Sequence, residues 1–191
     1  MSDTKSIMIV GVGGQGTLLA SRILGNLLIK KGYDVKMSEV HGMAQRGGSV
    51  VTYVRYGKSV ASPIVSIGEA DIILAFEELE ALRWAEYIKK DGKIIMNKQV
   101  IEPMPVITGA MEYPENISEK IREFSSNIVE VDALSLALKA GNAKAVNVAL
   151  IGVMAKSTDF SQEEWLDAIK ETVPEKFVDV NIKAFNEGYN K

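Results

Sequence analysis

Apolar positions along this chain recur with two periods, and the change from one to the other marks the elements. Lys5 to Val10 is a short β-branched run that ends at Gly11 and reads as a strand. From Thr17 to Ile29 the spacing becomes helical, through Leu18, Leu19, Ile23, Leu24, Leu27 and Leu28. Gly32 is a natural helix stop, and Tyr33 to Val40 reads as a second strand, so the opening segment has the length of a β-α-β unit. Ser49 to Tyr56 alternates as a third strand. The loop from His41 to Gly48 is shorter than the roughly 12 residues that parallel neighbours need, so strands two and three are expected to run antiparallel, giving a mixed sheet.

Farther on, Ala70 to Phe76 predicts a buried strand, Glu77 to Lys89 a helix, and Lys93 to Asn97 a strand entered through Asp91-Gly92. A Pro-containing passage from Pro103 to Pro114 precedes a helix at Ile117 to Phe124, a strand at Ile128 to Val131, and helices at Ala133 to Lys139 and Lys144 to Lys156. Ser161 with Glu164 three residues later is a capping-box signature for a helix to Lys170, and Pro174 precedes a last amphipathic helix. Alternating strands and helices with no linker or repeat predict a single α/β domain over residues 1–191. Its expected form is a three-layer α/β/α fold with a Rossmann-like, mostly parallel or mixed sheet and extra C-terminal helices.

With 47% hydrophobic residues in 191, the chain can fill one core. Its 22 basic and 25 acidic side chains give a net charge of -3, with no basic stretch fit to follow a phosphate backbone, so nucleic acid is not an expected partner. The longest apolar run, Ala145 to Ala155, contains Asn147 and is too short for the roughly 18 to 20 residues that span a bilayer. No membrane association is expected. Met1 to Lys5 lead directly into the first strand without a signal-like apolar region, which points to the cytoplasm. Zero cysteines exclude thiolate-held iron–sulfur clusters, cysteine zinc sites and disulfides. With His41 as the only histidine, a three-histidine metal site is excluded too, and no metal is expected in this chain.

Two glycine-rich segments carry the candidate chemistry. Gly11-Val12-Gly13-Gly14-Gln15-Gly16 has the G-x-G-x-x-G spacing between a strand and a helix, where it permits a tight turn and can present a helix N-terminus to a phosphate or carboxylate. Glu39, near the end of the second strand, stands where dinucleotide enzymes carry a ribose-binding acid. Close helix packing, anion binding and a dinucleotide site all remain open on these residues alone. His41-Gly42-Met43-Ala44-Gln45-Arg46-Gly47-Gly48 should emerge at the same sheet edge, with Arg46 as a planar cation for carboxylate or phosphate, Gln45 as donor and acceptor, and His41 as a titratable ring. A paired surface arginine in a glycine-shaped turn is the plain alternative. Glu77 and Glu78 at a helix start suit the dipole as well as an acid pair would, and Asn147 inside an apolar helix needs a hydrogen-bond partner. Trp84 and Trp165 read as packing or interface residues.

Together, Gly11 to Gly16, Ser38 to Val50 and Ser62-Pro63 resemble the signature of the gamma-type module of 2-oxoacid:ferredoxin oxidoreductases, and the His-to-Gly loop is particularly similar to the indolepyruvate branch. The similarity continues through Gly68 to Asp71, Ala75 to Glu77, Glu80 to Leu82 and the helix with Asn147. It implies oxidative decarboxylation of a 2-oxoacid, an aryl pyruvate in that branch, to an acyl-CoA, with electrons passing to ferredoxin. Thiamine diphosphate, Mg and the iron–sulfur clusters would belong to a larger partner subunit, and this chain, inactive alone and holding no cofactor itself, would cover the partner's active site. No catalytic residue is assigned. Gly11, Gly13, Gly14, Gln15, Gly16, His41, Gly42, Met43, Gln45, Arg46, Gly47 and Gly48 are the expected contacts to ligand phosphate, substrate or partner, with Glu39, Glu77 and Asn147 as weaker candidates. A stand-alone NAD- or FAD-binding oxidoreductase and a non-catalytic nucleotide-binding assembly module are the alternative readings.

Overall fold

In the computed structural model, which describes residues 4–42 and 47–191, the first strand explains the architecture. β1 (Lys5–Val12) is buried at every position after Lys5. Ile7 and Ile9 face one apolar cluster, while Met8 and Val10 face another. A strand covered on both faces requires an unbroken apolar run rather than alternation. α1 (Thr17–Lys30) follows, and its chain reverses at Gly32, whose φ of 81° is available at little cost only to glycine.

β2 (Asp34–His41), β3 (Ser49–Gly57), β4 (Ala70–Ala75), β5 (Ile88–Asn97) and β6 (Ile128–Val131) join β1 in a sheet of order β2-β3-β1-β4-β5-β6. β3 runs antiparallel to both β1 and β2, whereas β1, β4, β5 and β6 are mutually parallel. β2 therefore points the same way as β1, and the sheet is mixed, as the short connecting loop required. The C-terminal ends of β1, β2, β4 and β5 all open on one edge.

α2 (Glu78–Arg83) and α4 (Ile117–Arg122) cover one face, with Ala81, Ile117 and Ile121 packed on Met8, Val10, Ile73 and Met96. Between them α3 (Met104–Ile107) forms a single turn inside the Pro-containing passage. The other face carries α1, α5 (Ala133–Lys139), α6 (Val146–Ala155), α7 (Gln162–Thr172) and α8 (Val178–Tyr189). α6 is buried from Asn147 to Ala155, as expected of a helix apolar on every side. Trp165 in α7 is fully buried against Phe160 and Phe185, with its indole N–H donated to Thr158. No helix among the described residues is long and apolar enough to cross a membrane.

Two expectations need correction. The helix expected from Glu77 to Lys89 ends at Arg83, gives way to a 3-10 turn at Ala85–Tyr87, and β5 starts at Ile88 rather than at Lys93. Pairing of Ile88 with Ala70 takes this stretch into the sheet, overriding its local helical pattern. Asp91-Gly92 thus lies inside the strand at an irregularity of the ladder, where a side chain on Gly92 would stand 2.8 Å from the Ala70 carbonyl. The second correction concerns the opening β-α-β unit: its strands are not neighbours, because β3 lies between β1 and β2.

Candidate functional site

The glycine-rich turn occupies the step from β1 to α1 and is held by its own glutamine. Gln15 Oε1 accepts from the backbone N–H of Val12 at 2.7 Å, while Nε2 donates to the Phe76 carbonyl at 2.9 Å and to Gln99 Oε1 at 3.1 Å. Gly14 and Gly16 have φ of 104° and 84°, conformations that a side chain would strain. Gly16 is the N-cap residue of α1 and has no side chain to cap it. Asn147, 6% exposed in the first turn of α6, donates to the Gly16 carbonyl at 3.3 Å. Two helix N-termini, each the positive end of a dipole, therefore meet at this turn.

The turn and the end of the His41–Gly48 loop form one rim. Gly13 donates its N–H to the Gly48 carbonyl at 2.9 Å and accepts from the N–H of Gly47 at 3.3 Å. His41 is exposed at the end of β2, with Nδ1 3.0 Å from the Gly42 carbonyl. Met43, Ala44, Gln45 and Arg46 lie outside the described residues.

The glycine turn is a ridge between two clefts. On the β2 side a cleft of about 360 Å³ is lined by Gly13, Gly14, Gly16, Leu18, Glu39 and His41 among others. On the α6 side a cleft of about 550 Å³ is bordered by the same glycines with Gln99, Ile101, Lys144 and Asn147. Glu39 accepts from the hydroxyl of Thr52 at 3.0 Å. With β3 between its strand and β1, Glu39 stands one strand farther from the turn than a ribose-binding acid on an adjacent strand would.

Behind the rim runs a network of buried polar side chains. Asn97, 2% exposed at the end of β5, donates to the Phe76 carbonyl and to Gln99, and accepts from the N–H of Ala133. Glu77, 1% exposed, accepts from the backbone N–H of Glu80 as the N-cap of α2, and also from the N–H of Ile101 and the hydroxyl of Tyr113 at 2.7 Å. It therefore fixes both its own helix and the segment from Ile101 to Tyr113. Burial raises the Tyr113 phenol well above its usual value, and the bond to Glu77 raises it further. Glu78 has its carboxyl raised by burial first and by its neighbour Glu77 second.

This arrangement has close counterparts among known proteins. Residues 6–191 match the family model described as pyruvate ferredoxin/flavodoxin oxidoreductase. The chain belongs to this oxidoreductase family. Within it, the chain is 45% identical over 188 residues to the indolepyruvate oxidoreductase subunit IorB of Pyrococcus horikoshii, covering 96% of this chain and 93% of that protein. It is 27% identical to the pyruvate/ketoisovalerate oxidoreductases common subunit gamma of Thermococcus kodakarensis, covering 95% and 93%. The fold is shared with the pyruvate oxidoreductase subunit PORC of Thermotoga maritima, at a TM-score of 0.74 and 20% identity over 100% of this chain and 97% of that one. The family named from the sequence resemblance is thus the family of the chain, and a stand-alone dinucleotide oxidoreductase is not favoured.

For a member of this family, the residues divide clearly by what they can hold. Without a cysteine the chain offers no thiolate to an iron–sulfur cluster, and no group of three His, Asp or Glu among the described residues could hold a metal ion. An anion is different, since the α6-side cleft combines glycine backbone, two helix N-termini and the Lys144 side chain. Gly11 lies under the turn, where a side chain would meet Gln15 and Phe76 at under 3 Å, so it shapes the turn from within. Sequence reasoning missed Asn97 and Gln99, which act through partners distant along the chain, and Lys144, which the fold brings to the cleft; none sits in a spaced motif.

Proposed function

We propose that this chain is the small subunit of a 2-oxoacid:ferredoxin oxidoreductase, with an aryl pyruvate such as indolepyruvate as its substrate class. A larger partner subunit carries thiamine diphosphate, Mg and the iron–sulfur clusters. Those groups supply decarboxylation and electron transfer to ferredoxin in the assembled enzyme. The chain's own part is to wall the partner's active site with the edge on which the C-terminal ends of β1 and β2 open, on either side of β3.

The observation that carries this reading is the pair of hydrogen bonds between Gly13 and the Gly47-Gly48 segment, which fuses the two motifs into one surface. On that surface the glycine turn offers backbone N–H groups, and in sequence Gln45 and Arg46 come directly before the Gly47-Gly48 segment that bonds to it. Arg46 and Lys144 supply cationic donors for the phosphates of coenzyme A or the carboxylate of the oxoacid. Gly13, Gly14, Gln15, Gly16, His41 and Gly42 shape the wall around them, with Gly11 beneath the turn. Excluding water at this edge would strengthen each of these contacts.

Replacing Arg46 with Ala in the reconstituted complex tests the assignment. Activity should fall about tenfold or more, as expected for loss of a charge-assisted contact of roughly 1.5–3 kcal/mol, with the chain still folded and assembled. Unchanged kinetics toward both coenzyme A and oxoacid would refute it.

A further inference from the structure

A separate cleft lies at the edge of the sheet opposite the glycine turn. It holds about 340 Å³, within the roughly 300–1,000 Å³ of small-molecule sites. Lys5 opens β1, Asp71 stands near the start of β4, and Lys89 and Lys93 flank the irregular stretch around Gly92 in β5. Tyr56 reaches the same edge near the end of β3, which runs the other way. The turn from Ser157 to Asp159, just after α6, completes the lining.

Three lysines in this lining stand with three aspartates, Asp71, Asp91 and Asp159. Their charges are unequally used. Asp71 is saturated: Oδ2 accepts from the N–H of Ser6 at 2.7 Å and Oδ1 from Lys89 at 2.7 Å, with Lys5 at 3.7 Å. Lys93, half-buried, donates to the neutral hydroxyl of Ser157 at 3.0 Å and has no ion pair among the described residues. Asp159 has neither hydrogen bond nor ion pair among the described residues.

Tyr56 is 8% exposed, its ring packed against Tyr33 and Phe160, and its hydroxyl has no partner among the described residues. Buried phenols ordinarily keep one. Burial first, and then the charges of Asp159 and Asp71, raise this phenol, so its hydroxyl end points to the cleft that both aspartates line. The cleft thus holds a cation, a hydroxyl and a carboxylate that still lack charged or polar partners. An anion alone would meet the aspartates there and a cation alone the lysines, whereas a molecule bearing both charges on neighbouring groups satisfies each. Ile7, Ile72 and the Tyr56 ring supply apolar surface for the remainder of such a molecule.

We propose that this cleft binds an α-amino acid as its zwitterion, with the carboxylate on Lys93 and the Tyr56 hydroxyl and the ammonium on Asp159. An apolar side chain lies against Ile7 and Ile72. The site is remote from the glycine turn and independent of the oxoacid assigned above.

Calorimetric titration of the full chain with L-phenylalanine, 3-phenylpropionate and phenethylamine tests the assignment. L-Phenylalanine should bind saturably, and the analogues lacking its ammonium or its carboxylate should each bind about tenfold weaker or worse, as loss of one charge-assisted contact requires. Lys93→Met and Asp159→Asn should each weaken L-phenylalanine about tenfold, and Tyr56→Phe about threefold, with melting temperatures close to that of the unmodified chain. Lys144→Met, beside the glycine turn, should leave the affinity unchanged. Absence of saturable binding up to about 10 mM would overturn the proposal. So would equal affinity for 3-phenylpropionate, which would make this a plain anion site, or a loss in Lys144→Met without one in Lys93→Met, which would move the ligand to the other edge. Should Lys93→Met melt early, the exposed Asp159→Asn position decides. Turnover enters none of these readings, so the outcome of Arg46→Ala in the complex stands apart from them.

Discussion

Asn147, in the first turn of α6, donates its side-chain amide to the carbonyl of Gly16, 131 residues earlier at the N-cap of α1. Its Oδ1 accepts from the N–H of Val148, so the buried amide is used at both ends. The contact joins the C-terminal helical layer to the glycine turn and explains why a polar residue interrupts an otherwise apolar helix. Asn147→Ala should cost about 1 kcal/mol, because the Val148 N–H loses its acceptor, whereas the Gly16 carbonyl keeps the N–H groups of Leu19 and Ala20. Gly16→Ala should cost more than the roughly 1 kcal/mol of its left-handed conformation, since the new Cβ would stand 2.7 Å from Asn147 Nδ2. Urea unfolding of each variant measures both effects, and an unchanged midpoint in either would argue against the contact.

Close backbone approach between α6 and α8 gives a larger stability effect. A Cβ on Gly152 would lie 2.1 Å from the Phe185 carbonyl oxygen, and one on Gly188 would lie 2.0 Å from the Ala149 carbonyl oxygen. Backbone cannot swing aside as a long side chain can. Gly152→Ala and Gly188→Ala should each destabilise by about 3 kcal/mol or more, against less than about 0.5 kcal/mol for Gly42→Ala, where the added methyl meets open space. Parallel thermal melts of the three variants decide this, and equal melting temperatures would contradict the packing.

Alkaline pH should loosen the fold through its tyrosines. Burial, followed by the charges of Asp159 and Asp71, raises the Tyr56 phenol, and burial followed by the bond to Glu77 raises that of Tyr113. Unfolded tyrosines ionise near pH 10, so above that pH the unfolded chain binds fewer protons than the native one. This stability contribution is complete below about pH 10 and is lost as pH rises toward the elevated native values. A series of melting temperatures from pH 8 upward should stay level with respect to these groups and then fall beyond about pH 10. Tyr56→Phe and Tyr113→Phe should each flatten the fall; an unchanged slope in both would show that the two phenols titrate freely in the native state.

Both ends of the segment from Ile101 to Tyr113 are tied to one carboxylate, that of Glu77. Glu77→Ala should remove the α2 cap and release both the Ile101 N–H and the Tyr113 hydroxyl, at a cost of about 2–4 kcal/mol. Limited proteolysis should then cut between Ile101 and Tyr113 faster than in the unmodified chain. Equal cleavage rates would separate Glu77 from the control of this segment.

What the sequence made legible was local. The strand–glycine–helix opening, the Ser161 and Glu164 capping box and the Ile128–Val131 strand all announce themselves within a few residues. The antiparallel β3 followed from loop length alone, because eight residues cannot make a parallel crossover. By contrast, insertion of β3 between β1 and β2 is a choice of partner that no local pattern encodes. The early start of β5 is similar, since pairing with Ala70 outweighs the helical spacing that runs to Lys89. At the site, glycine spacing revealed the turn and the loop. Asn97 and Gln99 acquire their roles only when the sheet brings residues far apart in sequence to within hydrogen-bond reach.

Dividing the chemistry between chains is the central claim, and it is tested most directly by oxoacid-dependent reduction of a viologen dye in the presence of coenzyme A. The chain, the larger subunit proposed to carry the clusters and their coexpressed complex should be compared side by side, with indolepyruvate, pyruvate and 2-oxoglutarate as substrates. Turnover confined to the complex, with indolepyruvate preferred, is the predicted result. Dye reduction by this chain alone, or failure of the two chains to associate, would contradict the account.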